Sequence, residues 1–113
     1  MSSRIQIEDF LSNFKLKLEI YGVVFLQRDK NLDTLIKLEL TTVNRTSILQ
    51  ALTYQDYYKG PTPDYDKGAE LWGFGVKVKH RDVYIKITMG HTDRPVICIS
   101  FHIAERRIKY PFK

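Results

Sequence analysis

The chain has one cysteine, Cys98, so no disulfide can form within it. A fold that does without disulfides suits a reducing compartment, and a cytoplasmic location is expected. Long apolar runs are also missing. No stretch of about 20 apolar residues is available to cross a bilayer, and no apolar h-region follows the first residues. Neither a membrane span nor a secretory signal is visible, and no membrane partner is expected. Histidine is scarce. A metal site would have to combine His80, His91 and His102 with carboxylates, and their spacing fits no ligand pattern. No metal and no other cofactor is expected. Internal repeats, low-complexity segments and composition breaks are absent as well. The 113 residues can build one core but not two, which gives a single domain, 1–113.

Acidic residues are outnumbered. Thirteen Asp and Glu face 18 Lys and Arg, a net charge of +5. Such a domain favours a polyanion, either nucleic acid or an acidic protein, although a small domain also carries lysines for solubility. Aromatic side chains lean towards tyrosine, seven against six Phe and one Trp. Tyrosine adds a hydrogen-bonding tip to its stacking area.

Hydrophobic periodicity divides the chain into an N-terminal helical part and a C-terminal sheet. Ile7, Phe10, Leu11, Phe14 and Leu18 repeat at helical spacing, so residues 5–21 should form a helix. Ser2 or Ser3 can cap it and Gly22 can end it, while Lys15 and Lys17 read as its solvated face. Residues 23–26 are too short to classify, and residues 28–31 read as a turn. A short helix over 31–40 should turn Leu32, Leu35, Ile36 and Leu38 inward. A third helix over 43–52, capped by Thr41 or Thr42, should bury Ile48, Leu49 and Leu52.

Residues 60–68, rich in Gly, Pro and Asp, read as a long surface loop in which Asp64 and Asp66 are turn formers. Three alternating segments follow, over 71–78, 83–89 and 96–103. A tight connection over 79–82 makes the first two a hairpin. Matching greasy faces sets Val78 opposite Val83 and Val76 opposite Ile85, which puts Lys77 opposite Tyr84 and Gly75 opposite Lys86. In the third segment Ile97, Ile99 and Phe101 should be greasy, with Cys98, Ser100 and His102 on the other face. Ser100 then falls opposite Tyr84. The tail over 104–113 is basic, and Pro111 argues for extended chain. The expected fold is α+β, with N-terminal helices on one face of a small antiparallel sheet of about three strands.

The polar face of that sheet would gather Lys77, Tyr84, Lys86, Ser100 and His102, with Gly73 and Gly75 leaving room above it. Lys59 and the tyrosines Tyr57 and Tyr58 can reach it from the preceding loop, and Arg81 in the hairpin turn is either a phosphate contact or without a role. Lysines hold phosphates, tyrosines stack bases and glycines admit a backbone, a set that suits an RNA strand. It also suits metal-independent RNA cleavage. There the 2′-hydroxyl attacks the adjacent phosphate, which needs a base, an acid and cations for the developing charge. His102 has a suitable intrinsic acidity, crowded lysines shift towards neutrality, and Tyr84 can donate a proton. The same pattern also describes an ordinary solvated sheet face.

Four pieces of this chain in order, DYYK at 56–59, ELWGFG at 70–75, DVYIKI at 82–87 and VICISF at 96–101, resemble the motility quorum-sensing regulator (MqsR-like) toxins. The resemblance covers about half the chain, from 52 to 101. Its KGP loop and its ISFHIAE–YPF ending are similar to a branch of small proteins grouped with that family. The resemblance implies a RelE-like fold and the toxin of a toxin–antitoxin pair. It also implies an mRNA endonuclease, neutralised by an antitoxin that is often a helix-turn-helix repressor. It implies Lys59 as the catalytic lysine and Tyr84 as the catalytic tyrosine, with mRNA and the antitoxin as partners. The family's third residue, a glutamine after the strand tryptophan, is replaced by Gly73 in this chain; Ser100 and His102 are nearby groups that can stand in. Lys86 and His102 complete the candidate catalytic set, and Tyr57, Tyr58, Lys77, Arg81 and Ser100 the candidate RNA contacts. The other readings are a non-catalytic RNA- or protein-binding module on the same fold, and a domain that binds an acidic partner through its basic tail.

Overall fold

The structure, a computed structural model, describes residues 1–64 and 69–113. Asp66, expected to form a turn, lies outside the described residues. Helix α1 spans Arg4–Tyr21, strand β1 Val23–Phe25, helix α2 Asp29–Leu38 and helix α3 Thr42–Gln50. A single 3-10 turn, Tyr54–Asp56, leads into β2, Tyr57–Thr62. The strands β3, Leu71–Val78, β4, Arg81–Thr88, and β5, Val96–Ile103, follow. The fold is α+β.

Local signals set α1. Ser3 Oγ accepts from the Gln6 amide, and Gln6 Oε1 accepts from the Ser3 amide, a reciprocal cap of two otherwise unpaired donors. The helix stops at Gly22, which takes φ 81°. Ile7, Leu11, Phe14 and Leu18 are buried, each worth roughly 1.5–3 kcal/mol of burial. Lys15 and Lys17 are not simply solvated. Lys15 Nζ donates to the Leu52 carbonyl at 2.6 Å, and Lys17 Nζ donates to the carbonyls of Met89 and His91. They tie α1 to the ends of α3 and β4.

Among the described residues the sheet has five strands in the order β1-β5-β4-β3-β2, not about three, and it is mixed rather than antiparallel. Residues 23–25 become a strand because β5 offers them a parallel partner, Val23 beside Val96 and Phe25 beside Cys98. The stretch 57–62, which runs into the loop expected from residue 60, is an edge strand on β3 and carries Gly60 and Pro61. Proline lacks a ladder donor, and an edge position tolerates that.

The hairpin turn is tighter than expected. Lys79 and His80 take φ of 49° and 70°, a two-residue turn that matches strand twist. The register therefore slides by two residues: Val78 faces Arg81, Lys77 faces Asp82, Gly75 faces Tyr84 and Gly73 faces Lys86. A two-residue slide preserves the faces, so Trp72, Phe74, Val83, Ile85 and Ile87 still form the core. Strand β5 departs further. Its register breaks between Lys86 and Ile87, setting Ser100 opposite Lys86 but Cys98 opposite Ile87. This bulge turns Cys98 into the core and moves Ile97 opposite Thr88. Burial pushes the Cys98 thiol up to about 12, against an opposing effect of Arg45.

Helix α2 turns a different side inward. Asn31, Thr34 and Leu38 are buried, while Leu32 and Ile36 are exposed. Where β1 ends, α2 takes over the open edge of β5. Asn31 Nδ2 donates to the carbonyls of Leu26 and Ile99, and its Oδ1 accepts from the Phe101 amide at 2.9 Å. Thr34 Oγ1 accepts from the Ile103 amide. Two polar side chains thus extend the ladder where no strand remains, and the need to pair those groups outweighs the burial of two aliphatic ones.

Candidate functional site

Across the sheet from the core lies a cleft of about 430 Å³. The fold brings Tyr58, Lys59, Tyr84, Lys86, Ser100 and His102 to its walls. The register explains how. Tyr84 and His102 are cross-strand neighbours with rings 5.6 Å apart, and Lys86 and Ser100 are the next pair along. Lys59 comes from β2, opposite Gly73. Its ammonium lies 5.4 Å from the Tyr58 ring and 5.8 Å from the Tyr84 ring. Tyr58 meets Tyr84 edge to face at 6.1 Å. Lys59 and Tyr84 close in over Gly73: a Cβ there would stand 3.1 Å from Lys59 Cγ and 3.4 Å from Tyr84 Oη.

Three residues expected at the site are elsewhere. Tyr57 is buried on the core face, where its hydroxyl donates to the Gly60 carbonyl and accepts from the Ser2 amide. One residue along a strand turns a side chain to the opposite face, so Tyr58 reaches the cleft and Tyr57 does not. Lys77 is on the cleft's face but at the far end of β3, opposite Asp82, because the hairpin register moved. Between it and the cleft, Ile108 and Tyr110 lie over Gly75. Arg81 is a strand residue rather than a turn residue and lines neighbouring grooves, not this cleft.

Two further cations join the cleft that the spacing of residues did not point to. Arg28, read as part of a turn, donates from Nη1 to Ser100 Oγ at 3.3 Å and lines the cleft. Arg106, noted only as tail charge, lines it as well. Nothing local marks either one, because their position follows from the docking of 26–30 beside β5 and from the tail folding back over β3. Ser100 is itself buried and acts as a prop for Arg28 rather than an open RNA contact.

The electrostatics are those of an anion site. Among the described residues, Arg28, Lys59, Lys86 and Arg106 line the cleft beside one carboxylate, Glu105, with Asp64 close enough to act on Lys86. Glu105 is engaged by Lys30 at 2.6 Å, whose hydrogen bond and charge hold its carboxyl below the usual range. Lys86 sits below the ordinary lysine range, first because burial disfavours its charge, then because Lys59 and Arg28 repel it; Asp64 opposes the shift. The Tyr84 hydroxyl is raised, first by burial and then by Tyr58, so it keeps its proton at neutral pH. His102 Nδ1 lies 2.9 Å from the Ile103 carbonyl. A carbonyl only accepts, so Nδ1 carries a proton, and Nε2 is the ring nitrogen left for other contacts.

Among the described residues, no three His, Cys, Asp or Glu side chains stand close enough to share a metal ion. No helix among them is long and apolar enough to cross a membrane. The arrangement can hold phosphate, stack a base on tyrosine, and present a base, a hydroxyl donor and cations around one point. Compared with protein-family models, curated proteins and solved structures, the chain matches none.

Proposed function

We propose that the chain is a metal-independent endoribonuclease acting on mRNA, the toxin of a toxin–antitoxin pair held in check by a partner antitoxin of the helix-turn-helix repressor kind. One observation carries the reading. Lys59, Tyr84, Lys86 and His102, drawn from three strands, line a single cleft together with Arg28 and Arg106.

The roles follow from the chemistry. His102 Nε2 takes the proton of the 2′-hydroxyl. The freed oxygen bonds to the adjacent phosphorus, and the bond from phosphorus to the 5′-oxygen breaks. Tyr84 supplies the proton that the leaving oxygen needs, and His102 returns one to the tyrosine through solvent. The products are a 2′,3′-cyclic phosphate and a 5′-hydroxyl. Lys59, Lys86 and Arg28 face the charge that develops on the phosphate.

Labelled RNA incubated with the purified protein in EDTA tests this, beside Tyr84→Phe, Lys59→Ala and His102→Ala. Fragments ending in cyclic phosphate are expected, with rates about 10²-fold or more lower in Tyr84→Phe and His102→Ala, the usual worth of one acid or base. Growth arrest on expression should be relieved by the same variants. RNA left intact by wild-type protein sinks the enzymatic reading. Gly73 favours the second reading, a non-catalytic RNA- or protein-binding module, because a glycine brings no side-chain group of its own to the point where Lys59 and Tyr84 meet. RNA that is retarded on a gel yet uncut would support that module.

A further inference from the structure

The basic tail, residues 104–113, is not a free extended end. It lies across the face that carries the cleft. A Cβ on Gly75 would stand 2.5 Å from Ile108 Cδ1 and 2.7 Å from Tyr110 Oη, so the tail rests directly on the β3 backbone. Ile108 is buried. Phe112 packs edge-on against Tyr54 and Tyr57, with centroids 5.9 and 6.2 Å away. Lys113 Nζ lies 3.6 Å from Asp56 Oδ1. Contacts at these points set the course of the tail's backbone, from which Arg107 and Lys109 project.

A groove of about 370 Å³ follows the tail, lined by Arg107, Ile108, Lys109, Tyr110 and Lys113. Ile108 also lines the cleft, so the two depressions meet at its side chain. Among the described residues, three cations and no carboxylate line this groove, although Asp82 and Asp56 are near enough to act on Tyr110. Asp56 engages Lys113, but among the described residues Arg107 and Lys109 form no ion pair, and both are exposed. Unpaired cations continuing a cationic cleft give the charge track that a polyphosphate backbone follows.

We propose that this groove is the second half of an RNA path. A strand whose reacting phosphate sits in the cleft passes over Ile108, and Arg107 and Lys109 hold its flanking phosphates. The substrate class is then extended single-stranded RNA rather than a free nucleotide or a dinucleotide, since the bases must be unpaired to reach the tyrosines beside the reacting phosphate. The inference rests on the cleft being the RNA site.

Deleting the tail would remove Ile108 and Phe112 and uncover Gly75, Tyr54 and Tyr57 beneath them, so the test uses Arg107→Ala/Lys109→Ala, two surface changes whose folding is checked by an unchanged melting temperature. Binding of a 2′-O-methyl octanucleotide and of a 2′-O-methyl dinucleotide, which cannot be cut, is followed by fluorescence anisotropy over a salt series, beside Arg28→Ala. The octanucleotide's slope of log affinity against log salt should fall by about 1.4, at ~0.7 for each phosphate no longer neutralised, with dinucleotide binding unchanged. An unchanged octanucleotide slope, with binding still weakened by Arg28→Ala, overturns the tail path and leaves the cleft reading standing. Octanucleotide binding indifferent to both variants removes the cleft reading and the path with it. A double variant that loses binding to polyglutamate but keeps the octanucleotide slope overturns the path in favour of an acidic protein partner.

Discussion

Gly75→Ala should push the Ile108 and Tyr110 side chains off the sheet and lower stability by about 1–3 kcal/mol, the cost of an added methyl group in a packed site. The added Cβ would meet Ile108 Cδ1 at 2.5 Å and Tyr110 Oη at 2.7 Å, where ordinary contact needs about an ångström more. If Ile108 is expelled, the lost burial costs a similar amount, about 1.5–3 kcal/mol. For a domain of this size the melting temperature should fall by roughly 4–12 °C. Gly73→Ala is the matched control. Its Cβ would meet Lys59 Cγ at 3.1 Å, on an exposed flexible side chain that can swing aside. Its stability should stay within about 0.5 kcal/mol of wild type. Thermal unfolding followed by circular dichroism reads both. Should Gly75→Ala melt within about 1 °C of wild type, the tail is not seated on β3, and the reasoning that fixes Arg107 and Lys109 beside the cleft fails.

Asn31→Ala should cost about 3 kcal/mol or more in urea unfolding, because it strands the Ile99 carbonyl and the Phe101 amide, at roughly 1–3 kcal/mol for each buried unpaired group. A loss under about 1 kcal/mol would mean that α2 does not carry the β5 edge. Lys86 gives a pH signature. Its charge is disfavoured in the fold, so between its folded value and the ordinary 10.5 the unfolded chain binds more protons, and stability rises with pH across that window. An RNA phosphate favours the charged form. Binding should therefore take up a proton and weaken as pH climbs through the lowered Lys86 value, and Lys86→Arg should flatten the profile. Calorimetry in buffers of different ionisation heat measures the uptake; none in wild type would refute the placement of phosphate beside Lys86.

Side-chain period by itself determined much of this protein. The α1 stripe, the three alternating segments and the shared face of Tyr84, Lys86, Ser100 and His102 follow from spacing, because spacing decides which side of an element a residue occupies. That parity survived the wrong hairpin register, since a slide of two residues leaves every side chain on its face. It did not survive the β5 bulge, where one extra residue turned Cys98 inward. Hydrogen bonding between distant segments decided the rest. Residues 23–25 and 57–62 carry weak local signals and become strands only because β5 and β3 offer them edges. Leu32 and Ile36 follow helical spacing yet face outward, because the open end of β5 needs Asn31 and Thr34. Arg28 and Arg106 join the cleft, and the tail closes over Gly75, through packing between residues far apart in the chain. Local periodicity can assign a face to a residue. It cannot name the partner that will stand opposite, and here that partner decides which charges meet.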